Sequence, residues 1–519
     1  MNFKDLFSKV GFMFPDHEAL VCKDTKMTGR QLFERVNRVS NALLDLGLKK
    51  GDRVAVLMNN SSQAVECFFG IMCSGLVYLP LNARNSVEEH LYMLNDAEAG
   101  AIIMGDEFGE LLTPALSEAP TVSHVICGTR NPPDSVQSYE ALLIGASPDE
   151  PQADLLDDDV CRLNYTSGTT GKPKGVLLTH RNFVTAELNY ILTGQIEEHD
   201  TVLLSGPVTH ASGAHILPHV LQGARAIVLE NFDPKVILEH IQKERITTLM
   251  VVPTMLAFIL AQPDVEKYDL SSLKTIRYGA SPIPLEVLKK AIKVFKQTGF
   301  IQGYGLTEGG APLTALSKKD HILDGTEKNL KRLLSIGREL PTASVRIVDE
   351  EGNTLPLNDV GEIAVRSDMT MKGYWNNPEA TATALRGGWL HTRDMGYRDE
   401  DGYIYLVDRK EDMIISGGFN IYPKEVEDII YMHPAVFEAT VFGIPDDLWG
   451  ESVKAVVSLK EGMSATADEI IDHCKNHLAS YKKPKSVDFI KEIPKNPTGK
   501  ILRRQLREPY WGKGNRKVN

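Results

Sequence analysis

Short apolar runs alternate with amphipathic stretches along most of this chain. Apolar runs typical of buried strands occur at residues 101–104, 122–127, 226–229, 248–252 and 275–278. Between several of them the apolar positions recur at helical spacing, as over residues 234–244 and 285–297. Strands and helices that alternate in this way predict an α/β fold built on parallel sheets.

The first sixty residues follow the same order of elements. Residues 28–60 predict a helix with Leu32, Val36 and Val39 on its apolar face, followed by a strand at residues 53–58. A strand that follows a helix after a short connection is typical of the repeating unit of such a fold.

The pattern changes in the last third of the chain. Residues 344–365 predict strands joined by turns, which indicates a β-rich and more antiparallel region. An apolar strand at residues 403–407 ends in the charged run 408–412, and residues 422–487 then predict a small α+β unit. We therefore expect two domains, residues 1–408 and residues 409–519, with a hinge near Glu411.

Composition narrows the class of protein. A chain of 519 residues exceeds what one hydrophobic core usually supports, and 42% hydrophobic with 24% charged residues is typical of globular proteins. A net charge of −12 argues against a nucleic-acid-binding protein. Residues 471–519 nevertheless hold 13 basic and 4 acidic residues, which indicates either a solvated surface or a region that approaches polyanionic ligands.

The cysteines and the apolar segments indicate the compartment. The six cysteines are scattered without a paired Cys/His pattern, which argues against structural zinc and disulfides and favours a reducing environment. The N-terminus shows no secretory signal, and the apolar stretch 247–261 is too short to span a bilayer and contains Pro253. We expect a cytoplasmic protein without an integral membrane segment.

Residues 165–175 carry the strongest chemical signal in the sequence. Glycines allow the backbone to approach a ligand closely, and amide groups, hydroxyls and lysines can surround phosphate oxygens. The spacing of Gly168 and Gly171 does not fit the Walker A phosphate loop. The residues predicted to bind phosphate are Thr166, Ser167, Gly168, Thr169, Thr170, Gly171 and Lys172.

Four further motifs follow this loop in a fixed order. They are Tyr-Gly-Leu-Thr-Glu at 304–308, Trp-Leu-His-Thr-Arg-Asp at 389–394, the segment 408–420, and Asn-Pro-Thr-Gly-Lys-Ile at 496–501. In order and spacing they resemble the adenylate-forming acyl-CoA synthetase superfamily, of the fatty-acyl-CoA synthetase and aryl-CoA ligase type. This resemblance implies a large N-terminal domain and a small mobile C-terminal domain.

The resemblance also implies a nucleotide site. Glu308 would bind Mg²⁺, Thr307 would contact phosphate, and Tyr304 would offer a flat face to adenine. The segment formed by Gly279, Ala280 and Ser281 would form a wall beside the adenine. Asp394 and Arg409 would hold the ribose hydroxyls, although Arg393 stands where the family usually has glycine.

The remaining expected site residues concern the acyl group and the thiol. Lys500 would neutralise charge between the substrate carboxylate and the α-phosphate. His210 would flank the acyl pocket, and a purely structural histidine is the alternative. Gly418 would line the pantetheine tunnel, where Phe419 replaces a glutamate common in the family.

These residues predict an ATP-dependent acyl-CoA ligase that uses ATP, Mg²⁺ and coenzyme A. It would convert a carboxylic acid to an acyl-AMP with release of pyrophosphate, and then to the acyl-CoA with release of AMP. A medium- or long-chain fatty acid is the expected substrate, and an aryl acid of the coumarate or ferulate type is the alternative. Two other functions stay open: an adenylating enzyme that passes the acyl group to a carrier protein or stops at the adenylate, and a non-catalytic nucleotide-binding regulator. The expected partners are the small-molecule acid, ATP and coenzyme A, with a homodimer as a further possibility.

Overall fold

The computed structural model describes residues 1–128, 136–166, 173–409, 412–495 and 501–511. The strands in this part of the chain are β1 Glu18–Cys22, β2 Thr25–Thr28, β3 Arg53–Leu57, β4 Val77–Pro80, β5 Ala101–Met104, β6 His124–Cys127, β7 Gln137–Ser138, β8 Val160–Thr166, β9 Lys174–Thr179, β10 Thr201–Leu204, β11 Arg225–Val228, β12 Thr248–Val251, β13 Thr275–Gly279, β14 Gly299–Tyr304, β15 Thr314–Leu316, β16 Arg338–Glu339, β17 Ala343–Val348, β18 Gly361–Ser367, β19 Gly373–Tyr374, β20 Leu385–Arg386, β21 Trp389–Arg398, β22 Ile404–Arg409, β23 Ile414–Ser416, β24 Phe419–Ile421, β25 Val436–Asp446, β26 Gly450–Leu459 and β27 Ser486–Phe489.

The helices lie between these strands. They are α1 Phe3–Met13, α2 Gly29–Asp45, α3 Ser62–Cys73, α4 Val87–Asp96, α5 Asp106–Leu112, α6 Tyr139–Gly145, α7 His180–Gly194, α8 Ile216–Val220, α9 Pro234–Glu244, α10 Pro253–Leu260, α11 Leu285–Val294, α12 Glu327–Arg332, α13 Pro378–Ala384, α14 Pro423–Tyr431, α15 Ala467–His477 and α16 Arg503–Trp511.

Two large sheets form the N-terminal part of the molecule. Within the described residues, one sheet has nine strands in the order β16-β15-β14-β13-β12-β10-β11-β1-β2, and the other has eight in the order β19-β9-β8-β4-β3-β5-β6-β7. The central pairings of both sheets are parallel, for example β12 with β13 and β3 with β4. Antiparallel strands occur at the edges, as in β14 with β15 and β8 with β9.

The strands are apolar on both faces because helices cover both faces of each sheet. In β3, Val54 and Val56 face the core that contains α1, α2, α3, α7 and α8, whereas Ala55 and Leu57 face the core beside α4 and α5. Leu203 of β10 packs on the far side of the nine-stranded sheet with α9, α10 and α11. The result is an α-β-α-β-α layering. Because both faces of each strand are buried, the sequences of these strands are continuous apolar runs.

Two smaller sheets follow in sequence. β17, β18, β21, β20 and β22 form an antiparallel sheet, and Tyr304 contributes to the core on one of its faces. β23 to β27 form a second mixed sheet, whose core includes Ile414, Val426 and Ile470. The second sheet, with α14 and α15, is the small α+β unit expected for residues 422–487.

The fold class is confirmed, and the predicted elements agree closely with the structure. The helix at residues 234–244 has the predicted bounds, and the helix expected from residue 28 begins at Gly29 with Thr28 as its N-cap. The strand predicted over residues 403–407 extends through Arg409, because its last residues pair with Met395 and Asp394. Glu411 lies outside the described residues, so the domain boundary and the hinge stay predictions.

The buried His180 predicts how stability depends on pH. Its Nδ1 accepts a hydrogen bond of 3.3 Å from the backbone N–H of Phe3, and its Nε2 has no partner among the described residues. Burial is the main reason why the pKa of His180 is lowered from 6.5 to about 4, with Asp159 acting in the opposite direction. The unfolded chain therefore binds one more proton than the folded chain between these two pH values, and stability falls as pH decreases.

We expect His180→Asn to reduce the loss of stability between pH 6.5 and pH 4, to which His180 contributes up to about 3 kcal/mol. An asparagine oxygen can accept the Phe3 N–H bond without titrating. Urea unfolding at several pH values measures the change. His199, whose side chain is 76% exposed, supplies the control His199→Asn. An equal pH dependence for wild type and His180→Asn would contradict the prediction.

Candidate active site

A large cavity lies at the carboxyl ends of the parallel strands of both large sheets. Its volume is about 1710 Å³. It is lined by residues that end or follow β3, β4, β8, β10, β12, β13 and β14, and by α7. Ligand sites in parallel sheets form at this edge, because the strand ends and the loops that follow them converge there.

The hairpin of β8 and β9 brings Thr166 and Lys174, which flank the undescribed part of the predicted phosphate loop, to this cavity. Thr166 ends β8 and Lys174 begins β9, and these two residues pair with each other and line the cavity. Tyr165 anchors the strand by donating a hydrogen bond of 2.5 Å to Asp96. Ser167, Gly168, Thr169, Thr170, Gly171 and Lys172 lie outside the described residues, so their role stays a prediction.

The adenine-side segment is shaped by a close approach of two strands. Gly279 of β13 pairs with Gly303 of β14, and a Cβ atom at Gly279 would lie 2.4 Å from the carbonyl oxygen of Gly303. No side chain larger than hydrogen fits at Gly279 without moving the backbone. Gly279 and Ala280 line the cavity, whereas Ser281 is not among its described lining residues.

Asp394 is held from two sides in a buried position. The hydroxyl of Tyr304 donates a hydrogen bond of 2.7 Å to Oδ2 of Asp394, and Nε of Arg409 lies 3.3 Å from Oδ1. Burial, and then the nearby Asp394, raise the pKa of Tyr304 well above its usual value, so the phenol keeps its proton and donates. The sequence predicted Tyr304 only as a flat surface for adenine and missed this contact.

Glu308 lies on a short turn after β14 and faces the cavity together with Thr307. The hydroxyl of Tyr374 donates a hydrogen bond of 3.0 Å to Oε1 of Glu308, and Nζ of Lys174 lies 5.3 Å from the centre of the Tyr374 ring. The other oxygen, Oε2, has no hydrogen-bond partner in the described part of the chain. A carboxylate that lines the same cavity as Thr166 and Lys174 fits a Mg²⁺ ion that also binds phosphate oxygens. Tyr374 was not predicted from the sequence, because it reaches the site only through the pairing of β19 with β9.

His210 lines the cavity as a neutral ring. Its Nδ1 lies 2.9 Å from the hydroxyl oxygen of Thr209. Burial, and then the charge of Arg162, lower the pKa of His210 to about 4. The ring is therefore uncharged near neutral pH, and it can position a ligand by hydrogen bonding but cannot supply a positive charge.

The other two predicted site residues belong to the C-terminal part. Lys500 lies outside the described residues, but Lys495 and Leu502 on either side of its motif line the cavity. Gly418 lies at the tip of the hairpin between β23 and β24, with φ +82°, and is not among the described lining residues. The roles assigned to Lys500 and Gly418 stay predictions.

Arg393 adopts a backbone conformation that favours glycine. Its φ is +63°, in the left-handed region, and its backbone N–H donates a hydrogen bond of 2.8 Å to Oε1 of Glu362. The family glycine expected at this position would accept this conformation without strain. The arginine keeps the turn, and its side chain lines the cavity.

The structure also reveals buried charged residues that the sequence did not single out. Arg162 of β8, Glu187 of α7 and Arg277 of β13 line the inner end of the cavity. Each lies within an apolar stretch where the local pattern predicts core, and no local signal distinguishes them.

Among the described residues, no helix has both the length and the apolar character needed to cross a bilayer.

Comparison with known proteins gives consistent results over nearly the whole chain. Residues 7–375 match the family described as AMP-binding enzyme, and residues 425–500 match the AMP-binding enzyme C-terminal domain. Feruloyl-CoA synthase of Amycolatopsis sp is 37% identical over 500 residues, which cover 96% of this chain and 97% of that protein. A medium/long-chain-fatty-acid–CoA ligase of Mycobacterium tuberculosis is 36% identical, with 95% and 88% covered.

A solved structure agrees in fold with this chain. The crystal structure of an anthranilate CoA ligase in complex with anthranoyl-AMP superimposes with a TM-score of 0.89 at 28% sequence identity. The superposition covers 98% of this chain and 97% of that protein.

The contact between Tyr304 and Asp394 predicts a specific defect in nucleotide binding. Tyr304→Phe removes one hydrogen bond to a charged group, which is worth about 1.5–3 kcal/mol. We expect the KM for ATP to rise by roughly tenfold to a hundredfold. The control is Tyr405→Phe, which removes a similar bond of 3.0 Å to Asp399 away from the described lining residues. Equal KM values for Tyr304→Phe and wild type would contradict a role of the hydrogen bond between Tyr304 and Asp394 in binding ATP.

The conformation of Arg393 predicts an order of stability between two variants. Arg393→Gly and Arg393→Ala both remove the side chain, but only glycine tolerates a φ of +63° without steric cost. We expect the glycine variant to have the higher free energy of unfolding, by about 1 kcal/mol, in urea unfolding. The same pair at Arg346, within the regular strand β17, should show the reverse order. A more stable alanine variant at position 393 would be the contrary result.

Proposed function

The chain belongs to the AMP-binding enzyme family and is an acid–thiol ligase, and we propose that it joins an organic acid to coenzyme A in the central cavity. In the first step a carboxylate oxygen attacks the α-phosphorus of ATP, which forms an acyl-AMP and releases pyrophosphate. In the second step a thiol attacks the acyl carbon, which forms the thioester and releases AMP. The protein orients the reactants and excludes water from the mixed anhydride.

The observation that carries this proposal is the convergence of separate motifs on one cavity. Thr166 and Lys174 from the phosphate-loop hairpin, Gly279, Glu308 and Arg409 all line it. They come from different sheets, and no two of these motifs are neighbours in sequence. Their arrangement gives one site a phosphate end, an adenine wall and a ribose contact.

We assign the nucleotide contacts to particular groups. Asp394, held by Tyr304 and Arg409, would accept hydrogen bonds from the ribose hydroxyls. Thr307 and the loop from Thr166 to Lys172 would contact phosphate oxygens. Glu308 would hold Mg²⁺, which supplies charge neutralisation at the phosphates when bound.

Two residues would act near the reacting carboxylate. Lys500 would stabilise the charge that develops between the carboxylate and the α-phosphate. The neutral ring of His210 would position the acyl group. Gly418 would meet the pantetheine arm only after the small domain rotates near Glu411.

The identity of the acid depends on the inner end of the cavity. The sequence favoured a medium- or long-chain fatty acid, with an aryl acid as the alternative, and the two relatives described above divide between these classes. Phe183, Met250 and Ile301 are apolar lining residues that suit either group. Arg162 and Arg277 line the same end, and they favour the alternative that carries polar atoms over a plain alkyl chain.

Lys500→Ala tests the proposed chemistry. We expect pyrophosphate release to fall by about 10²–10³-fold, because the lysine would stabilise charge only in the first step. Formation of acyl-CoA from supplied acyl-AMP should remain nearly normal. Both half-reactions are measured with and without coenzyme A, and with a carrier protein as the alternative acceptor. Lys491→Ala changes an exposed lysine of the same region and is the control. Unchanged pyrophosphate release in Lys500→Ala would contradict the assignment.

A further inference from the structure

The cavity has an outer and an inner row of residues on the nine-stranded sheet. Gly279 of β13 pairs with Gly303 of β14, and both line the outer row. Two residues earlier on the same strands, Arg277 pairs with Ile301, and both line the cavity as well. Residues two apart on a strand share one face, so the inner row lies about 7 Å deeper than the outer row.

The opposite wall is formed by β8. Arg162, Asn164, Tyr165 and Thr166 of this strand line the cavity, and Arg162 lies farthest from the carboxyl end of the strand. Two guanidinium groups from two different sheets therefore belong to the inner end. An acid that presents its reacting carboxylate to ATP at the outer row would extend its other end toward them.

Both arginines are buried and lack a charged partner. Each residue is 5% exposed, and within the described residues neither has a carboxylate oxygen within 4.0 Å. Nη2 of Arg277 donates to the carbonyl oxygen of Tyr190 at 3.0 Å and to the hydroxyl of Thr193 at 3.3 Å. Nε and Nη1 of Arg277 have no hydrogen-bond partner in the described part of the chain.

Arg162 is likewise only partly satisfied. Its Nε donates to Asn164 at 2.6 Å and its Nη2 to the carbonyl oxygen of Thr209 at 2.8 Å, while Nη1 has no partner among the described residues. Buried charges are normally paired, because an unpaired charge loses its hydration without compensation. Arg162 also lies over the rings of Phe68, Tyr78 and Phe183, and Arg277 over the ring of Tyr190. Aromatic faces compensate a buried cation less than a carboxylate does, so the inner end offers N–H donors and positive charge without an anionic partner among the described residues.

Among the described residues that line this end, Glu187 carries a carboxyl group but forms no ion pair within 4.0 Å with either arginine. Glu187 is fully buried, and neither of its oxygens has a hydrogen-bond partner in the described residues. Burial raises the pKa of Glu187 well above its usual range, which favours the protonated form, and a protonated carboxyl can donate. Burial lowers the pKa of the neighbouring His215, which is neutral and whose Nδ1 is also without a partner in this part of the chain.

We propose that the inner end of the cavity binds a second carboxylate on the acid substrate, with Arg277 and Arg162 as its cationic partners. The preferred substrates are then dicarboxylic acids, in which one carboxylate is activated at the outer row and the other stays bound at the inner row. This inference rests on the proposed function, since it names the class of acid that the ligase activates. A saturated fatty acid of the same length would leave both guanidinium groups unpaired.

Matched pairs of acids test the inference on the full chain. Adipate and hexanoate have the same carbon chain and differ only in the second carboxylate. We expect kcat/KM, measured by pyrophosphate release with coenzyme A present, to be at least about tenfold higher for adipate. Arg277→Met keeps the length of the side chain and removes its charge, so it should sharply reduce the ratio of the kcat/KM for adipate to that for hexanoate. Arg277→Lys should retain part of the preference.

The control variant is Arg245→Met, which removes an exposed arginine that pairs with Asp269. It should leave the ratio of the two acids unchanged. Equal kcat/KM values for adipate and hexanoate in the wild type would overturn the inference, whether or not Arg277→Met folds. A preference for adipate that is unchanged in Arg277→Met would overturn the role of Arg277. The same assay is run with a panel of fatty and aryl acids. If neither adipate, nor hexanoate, nor any acid of this panel released pyrophosphate, the proposed function itself would fail.

Discussion

The hydrogen bond from Tyr304 to Asp394 is the contact on which the proposed nucleotide site depends. Tyr304 ends β14 of the nine-stranded sheet, and Asp394 lies in β21 of the antiparallel sheet. Arg409, the last residue of β22, contacts the same carboxylate from the adjacent strand. Because both partners are held by sheet pairing, the carboxylate keeps a fixed position relative to Gly279, the proposed adenine wall. A loss of this alignment would separate the proposed ribose contact from the proposed phosphate end.

The junction of the two proposed domains lies next to this contact, because Arg409 follows Asp408 at the proposed boundary. Asp408 is buried, and burial is the main reason why its pKa is raised to about 6. Arg503 lies 3.4 Å from Asp408, but it also contacts Asp412 at 3.1 Å and Glu427 at 2.7 Å. If the small domain rotates near Glu411, Arg503 keeps Glu427 as a partner. The geometry therefore allows a rotation that does not leave this buried arginine without a counter-charge.

The central cavity combines two environments that would serve different parts of the proposed reaction. Its outer end is formed by strand ends, glycines and loops, where a backbone can approach a ligand closely. Its inner end lies between α7 and the two sheets, where the charged side chains are buried and each charge has a large effect. Arg162, Glu187 and Arg277 make this end polar, although the surrounding side chains are mainly apolar. Burying these charges without a partner lowers the stability of the fold, whereas a bound ligand of complementary charge would compensate them.

The sequence alone determined the fold class, most strand and helix positions and the motifs that carry the chemistry. This succeeded because apolar periodicity and capping residues such as Thr28 act over a few neighbouring positions. The tertiary structure alone decided which side chains meet: Tyr374 reaches Glu308 and Tyr304 reaches Asp394 only through strand pairing across distant segments. It also decided that Arg277 and Arg162 face a cavity. Register and burial depend on contacts between residues far apart in the chain, and no local pattern encodes them.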